Sequence, residues 1–252
     1  TEGTASICGF DIQEQAWEIK KIVGYLPETP PLYPDFTIGQ YLKFIAELRG
    51  LSDTARKVGE VMEKLALTGW ENRIIRSLSK GYKQRVGLAQ AIIHDPKILI
   101  LDEPTSGLDP TQVVGIRNFI SDLAQERTVI LSTHILSEVE KLCNKILLIK
   151  KGQQVAQGTM SDLIDMVGGP RLRVGVHATE SPQRLLSEIE GVSSVRLLNH
   201  SERYFELELF SSMDIRSRFF QLCQKNGWSV RLLQDASPSM EEIFLTMLGE
   251  ES

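Results

Sequence analysis

The sequence is poor in cysteine: Cys8, Cys143 and Cys223 are the only three in 252 residues, and they lie far apart with no CxxC or Cys/His spacing. That argues against a disulfide framework or a zinc site and fits a reducing, cytosolic compartment. Long apolar runs are also missing. The longest, around Ile98–Leu101, is far too short to cross a bilayer. Basic charge is not in excess either. With 28 Lys+Arg against 33 Asp+Glu the net charge is −5, which leaves no footprint for coating nucleic acid. There is no signal-type apolar core, low-complexity tract, heptad run or internal repeat. What remains is an ordinary globular composition, long enough for one large or two modest domains with a full core.

From Ile22 to Gln157 short apolar runs alternate with longer segments of helical period, the pattern of an α/β domain with a largely parallel sheet. Strands are predicted at Ile22–Tyr25, Ile98–Leu101, Val129–Ser132 and Ile146–Ile149. The second has no polar alternation, which suits a central strand covered on both faces. A helical insert is expected between the first two, over about 36–96: Ile38, Tyr41, Leu42, Ile45 and Leu48 recur at helical spacing, as do Val58, Val61, Met62 and Leu65. Gly168-Gly169-Pro170 then breaks the pattern. Beyond it the strand and helix signals run β-α-β-β-α-β, with a last helix near Met240–Leu248, so residues 171–252 read as a small α+β accessory domain after an α/β domain of residues 1–167.

The chemistry concentrates in three places. Ile98-Leu99-Ile100-Leu101-Asp102-Glu103-Pro104 sets two carboxylates at the end of a buried strand, where open α/β sheets keep their ligand sites. There Asp102 is suited to Mg²⁺ and Glu103 to polarising a water for attack on a phosphate; a plain acidic turn is the bland alternative. Upstream, Leu78-Ser79-Lys80-Gly81 enters a helix, so Ser79 and Gly81 can offer a hydroxyl and bare N–H groups to an anion, with Lys80 beside them. Ser79 alone would equally be an N-cap. Downstream come the tight loop Ser106-Gly107-Leu108-Asp109 and, ending the next strand, Ser132-Thr133-His134. That strand lies beside the acidic one in this reading, so His134 brings an imidazole to the same rim.

Taken in order, these segments resemble the ATPase subunits of ABC transporters. LSKGYKQR is similar to the family signature, ILILDEP to the Walker B strand, SGLD to the D-loop and STH to the switch histidine, while Val23-Gly24-Tyr25-Leu26-Pro27-Glu28 resembles the Q-loop region. The resemblance extends through Gly158, and more weakly into a tail like that of exporter-type subunits. It implies a P-loop NTPase-like ABC cassette with a helical insert and a small α+β C-terminal domain. It further implies ATP and Mg²⁺, a second ATPase subunit, separate transmembrane permease subunits, and a cytoplasmic place on the inner face of the membrane. On that likeness Ser79, Lys80, Gly81, Asp109 and Glu28 would meet nucleotide, Asp102 and Glu28 would serve Mg²⁺, Glu103 would be the general base, and His134 would stabilise the γ-phosphate.

The chain departs from the family at three points. Glu28 stands where the family has Gln, Lys80 and Tyr82 replace Gly and Gln in the signature, and no GxxxxGK[ST] phosphate loop occurs. The expectation is that these residues are the C-terminal part of a longer ATPase, inactive by themselves, and that Ile98–Leu101 and Val129–Leu131 lack part of their apolar cover. Tyr33, Phe36, Tyr41 or Trp70 on the insert would anchor the membrane partner, at least half of them being core instead. The alternative is a regulatory or nucleotide-dead ABC-type ATPase with no transport role.

Overall fold

A computed structural model describes residues 3–249. It divides into two compact units, the first ending at Ile135 and the second beginning at Leu136. In the first, the ribbon β1 (Ser6–Ile7) and β2 (Phe10–Asp11) leads to helix α1 (Ala16–Ile22) and strand β3 (Val23–Leu26). The expected helical insert follows as α2 (Ile38–Leu48), α3 (Thr54–Lys64) and α4 (Lys80–Ile92). Its periodicity does what amphipathic helices require: Ile38, Tyr41, Leu42 and Ala46 are buried along α2, and Val61, Met62 and Leu65 along α3. Thr37 and Gln40 close a capping box on α2, and Asp53 caps α3. Of the four aromatics singled out, Tyr41 is core, Trp70 stacks on Tyr82 at 4.1 Å, and Tyr33 and Phe36 stay exposed, edge to face at 5.4 Å.

Strand β4 (Ile98–Asp102), helix α5 (Pro110–Glu126) and strand β5 (Thr128–Ser132) complete the unit. The sheet is parallel in the order β3-β4-β5, with rows Tyr25, Ile100, Ile130 and Leu26, Leu101, Leu131 in register. The expectation that β4 is covered on both faces is corrected here, whereas the expected shortfall of apolar cover over Ile98–Leu101 and Val129–Leu131 agrees with the burial. Leu99 and Leu101 are fully buried, but the Tyr25–Ile100–Ile130 row points outward, with Tyr25 50% and Ile130 52% exposed. An all-apolar strand carries no mark of which face is covered, because both faces have the same chemistry. On the buried side α4 approaches β3 so closely that a Cβ on Gly24 would lie 2.1 Å from the Ala91 carbonyl oxygen.

The second unit holds α6 (Leu136–Leu142), the hairpin β6 (Ile146–Lys150) and β7 (Gln153–Gly158), and α7 (Met160–Met166). After these come β8 (Arg171–His177), α8 (Gln183–Ser187), β9 (Val192–Ser201), β10 (Tyr204–Ser211), α9 (Arg216–Asn226), β11 (Ser229–Asp235) and α10 (Met240–Leu248). Gly168-Gly169-Pro170 falls inside this unit, between α7 and β8. The antiparallel sheet has the order β11-β8-β10-β9. Its strand and helix sequence is that of a ferredoxin-like split unit, as the sequence predicts. Val174, Val176, Leu207 and Leu209 bury one sheet face with Leu186 of α8 and Phe219 of α9. Met240 and Ile243 of α10 pack instead with Ile146, Ala156 and Leu163. No helix among the described residues is long and apolar enough to cross a membrane.

Candidate active site at the sheet rim

Parallel strands in register deliver their C-terminal ends to one edge, so the rim is fixed by the sheet itself. Asp102 ends β4 directly opposite Ser132 at the end of β5, and the Ser132 hydroxyl donates to Asp102 Oδ1 at 2.5 Å. Glu103 follows with φ +46°, in the left-handed region that a non-glycine residue seldom occupies. Its N–H donates to the Ser132 carbonyl at 2.9 Å. Its Oε1 accepts two bonds from one residue, the His134 backbone N–H at 2.9 Å and Nδ1 at 2.8 Å. Oε2 is buried and has no hydrogen-bond partner.

His134 keeps 74% of its side chain exposed against 19% for Glu103, so the imidazole reaches the carboxylate from the solvent side. The hydrogen bond with Glu103 raises the His134 pKa above 6.5, and the Glu103 charge and then that of Glu28 push the same way. Glu28, two residues past β3, therefore acts on the same rim. It also lines, with Lys80 and Lys83, a groove of about 510 Å³ over Leu32, Pro34 and Ile75.

The signature turn is built differently. Ser79 is the N-cap of α4, its hydroxyl oxygen accepting the Tyr82 N–H at 3.5 Å. Asp109 caps α5, Oδ1 accepting the Gln112 N–H at 2.9 Å. Lys80 is exposed, whereas Gly81 is buried beneath the Gln112 amide. Among the described residues no hydrogen bond or ion pair joins Ser79, Lys80 or Gly81 to Asp102, Glu103 or His134. The predicted residues thus form two groups, a carboxylate–imidazole rim and a pair of neighbouring helix N-termini.

Two contributors escape the sequence. Ser132 is placed on Asp102 by strand register, which pairing the two strands would have found; Gln112 over Gly81 leaves no signal in spacing. As for metal, no group of three or more His, Cys, Asp and Glu among the described residues could hold an ion. Asp102 and Glu28 are hard oxygen donors, and such a set suits Mg²⁺, which takes one or two carboxylates and completes its shell with water and phosphate.

A parallel sheet with a helical insert and its acidic strand end at the rim is the architecture of an ABC-type nucleotide-binding cassette. The ABC transporter family profile matches residues 1–106. An uncharacterised ABC transporter ATP-binding protein of Bacillus subtilis is 31% identical over 253 residues, covering 99% of this chain and 81% of its own. The Nod factor export ATP-binding protein I of Cupriavidus pinatubonensis is 37% identical over 253 residues, covering 99% and 74%. A solved structure of an ATP-binding subunit of an ABC transporter aligns with TM-score 0.60 at 29% identity, over 66% of this chain and 71% of that one. The chain belongs to the ATP-binding proteins of ABC transporters.

Proposed function

We propose that this protein hydrolyses ATP to drive an ABC-type exporter, pairing with a second ATPase subunit and acting on separate transmembrane permease subunits from the cytoplasmic face of the membrane. Residues 1–167 form the cassette and 171–252 the accessory domain in this reading. The observation that carries it is the rim itself: Ser132 holds Asp102 and His134 holds Glu103 Oε1 twice, so two carboxylates and an imidazole share the ends of neighbouring parallel strands. The relative named for Nod factor export supports the direction of transport.

Mg²⁺, when bound by Asp102 and Glu28 together with the phosphates, supplies charge neutralisation. The chain's own residues do the rest. Ser132 fixes the Asp102 carboxylate, Glu103 accepts a proton from the attacking water, and His134 both orients Glu103 through Nδ1 and offers its other ring nitrogen toward the γ-phosphate. Ser79 and Gly81 at the start of α4, with Lys80 beside them, face the nucleotide of the partner subunit, and Asp109 faces that subunit. Catalysis is then positioning and electrostatics without a covalent intermediate. The helical insert, with Tyr33 and Phe36 exposed beside it, receives the permease.

The test is Glu103→Gln in the natural protein. Turnover should fall by about 10² to 10⁴ while ATP-dependent dimerisation persists, since the base is lost but no binding group is. Near-normal hydrolysis by that variant refutes the assignment. A regulatory or nucleotide-dead subunit is the second reading, and the assembled Asp102, Glu103 and His134 weigh against it.

A further inference from the structure

The starts of helices α4 and α5 meet through side chains that lie over glycines. A Cβ on Gly81 of α4 would lie 1.9 Å from Gln112 Oε1 and 2.4 Å from its Cδ, so the Gln112 amide occupies the space where that side chain would be. A Cβ on Gly107 would lie 2.5 Å from Lys80 Nζ and 3.3 Å from its Cε, so the lysine arm lies along the loop before α5. One turn further on, Arg85 Nη2 stands 3.2 Å from the Cβ position of Gly115, while its Nη1 donates to the Leu65 carbonyl at 2.9 Å. The side chains come from both elements, Gln112 from α5 and Lys80 and Arg85 from α4.

Gln112 is the pivot. Its backbone N–H is held by Asp109 Oδ1 at 2.9 Å while its side chain covers Gly81, so one residue ties the Asp109 loop to the signature turn. We propose that Gln112 is a positioning residue that, with Lys80 on Gly107, locks residues 79–81 and 106–109 into one body. The two stretches assigned above to the nucleotide and to the partner subunit then move together when the subunits close. This rests on the function proposed above; the lock itself is a statement about packing.

In the natural protein, Gln112→Ala should lower kcat for ATP hydrolysis about tenfold or more with KM changed less than about twofold, because alignment is lost and ground-state binding is not. Gln112→Met, of similar length, should refill the notch and keep most of the activity. Amide hydrogen exchange at residues 105–109 should accelerate in the Ala variant and not in the Met variant, a readout that needs no ATP. Wild-type kcat in Gln112→Ala, equal damage from Ala and Met, or unchanged exchange in Gln112→Ala each overturns the lock. Absence of ATPase activity in the wild type overturns the function instead, and exchange then decides the lock. If Gln112→Ala does not fold, Gln112→Ser decides it by the same exchange measurement: acceleration at residues 105–109 supports the lock, and unchanged exchange refutes it.

Discussion

The uneven burial of the parallel sheet sets up a direct comparison between Leu99→Ala and Ile130→Ala. These residues sit on neighbouring strands but on opposite faces, and both substitutions remove branched apolar groups. Leu99 is fully buried against the helix side, so truncation removes its transfer free energy and leaves a cavity, about 2–5 kcal/mol in all. Ile130 is 52% exposed. Full burial of such a side chain is worth about 1.5–3 kcal/mol, so roughly half of that is at stake, and an open face forms no enclosed cavity. The expected cost is about 1 kcal/mol. Urea unfolding followed by tryptophan fluorescence measures both. Trp17 and Trp70 report the first unit once Trp228 of the second is replaced by Phe. The midpoint should fall much further for Leu99→Ala at similar m. Equal losses, or a larger loss for Ile130→Ala, would refute the reasoning and mean that the Tyr25–Ile100–Ile130 row is covered in solution.

Three other outcomes are open to measurement. Gly24→Ala should destabilise by about 1–3 kcal/mol because the Ala91 carbonyl must move, whereas Gly59→Ala in α3, with nothing within 4 Å, should stabilise by about 0.5–1 kcal/mol; thermal melts of both check the contrast. The folded His134 pKa is raised above its unfolded value, so its bond to Glu103 contributes fully below the unfolded pKa and is lost as pH climbs through the raised one. An NMR titration of the ring should move down toward 6.5 in Glu103→Gln, and an identical curve would disprove the coupling. Exposed Cys8 should react with a thiol reagent long before Cys223, which is 2% exposed and whose thiol burial pushes up to about 11; equal rates at neutral pH would contradict the packing of α9.

Much of the candidate site was legible because its order along the chain is a local property. The acidic strand end, the glycine loop and the histidine each sit at an element boundary that composition marks, and the structure puts Asp102, Glu103 and His134 at one rim through parallel register alone. The strands of the antiparallel sheet were legible for the same reason: Val174, Val176, Leu207 and Leu209 alternate along half-buried strands. Long-range packing was not legible. Nothing local to Gln112 says that Gly81, on another helix, leaves it room, and nothing in Ile98–Leu101 says which of two apolar faces is covered.

The same limit explains the carboxylate pair. Consecutive residues of a strand point to opposite faces, so Asp102 and Glu103 in regular β-structure could not serve one site. Asp102 keeps the strand geometry, paired in register with Ser132. Glu103 leaves it through a left-handed backbone that costs a non-glycine residue on the order of 1 kcal/mol. What holds it there is visible: its N–H on the Ser132 carbonyl and two donors from His134 on Oε1. Three bonds, two of them to a charged carboxylate, outweigh the backbone term, and they work only because β5 ends level with β4. The chain thus leaves regular strand geometry between the two carboxylates, and the histidine holds the second.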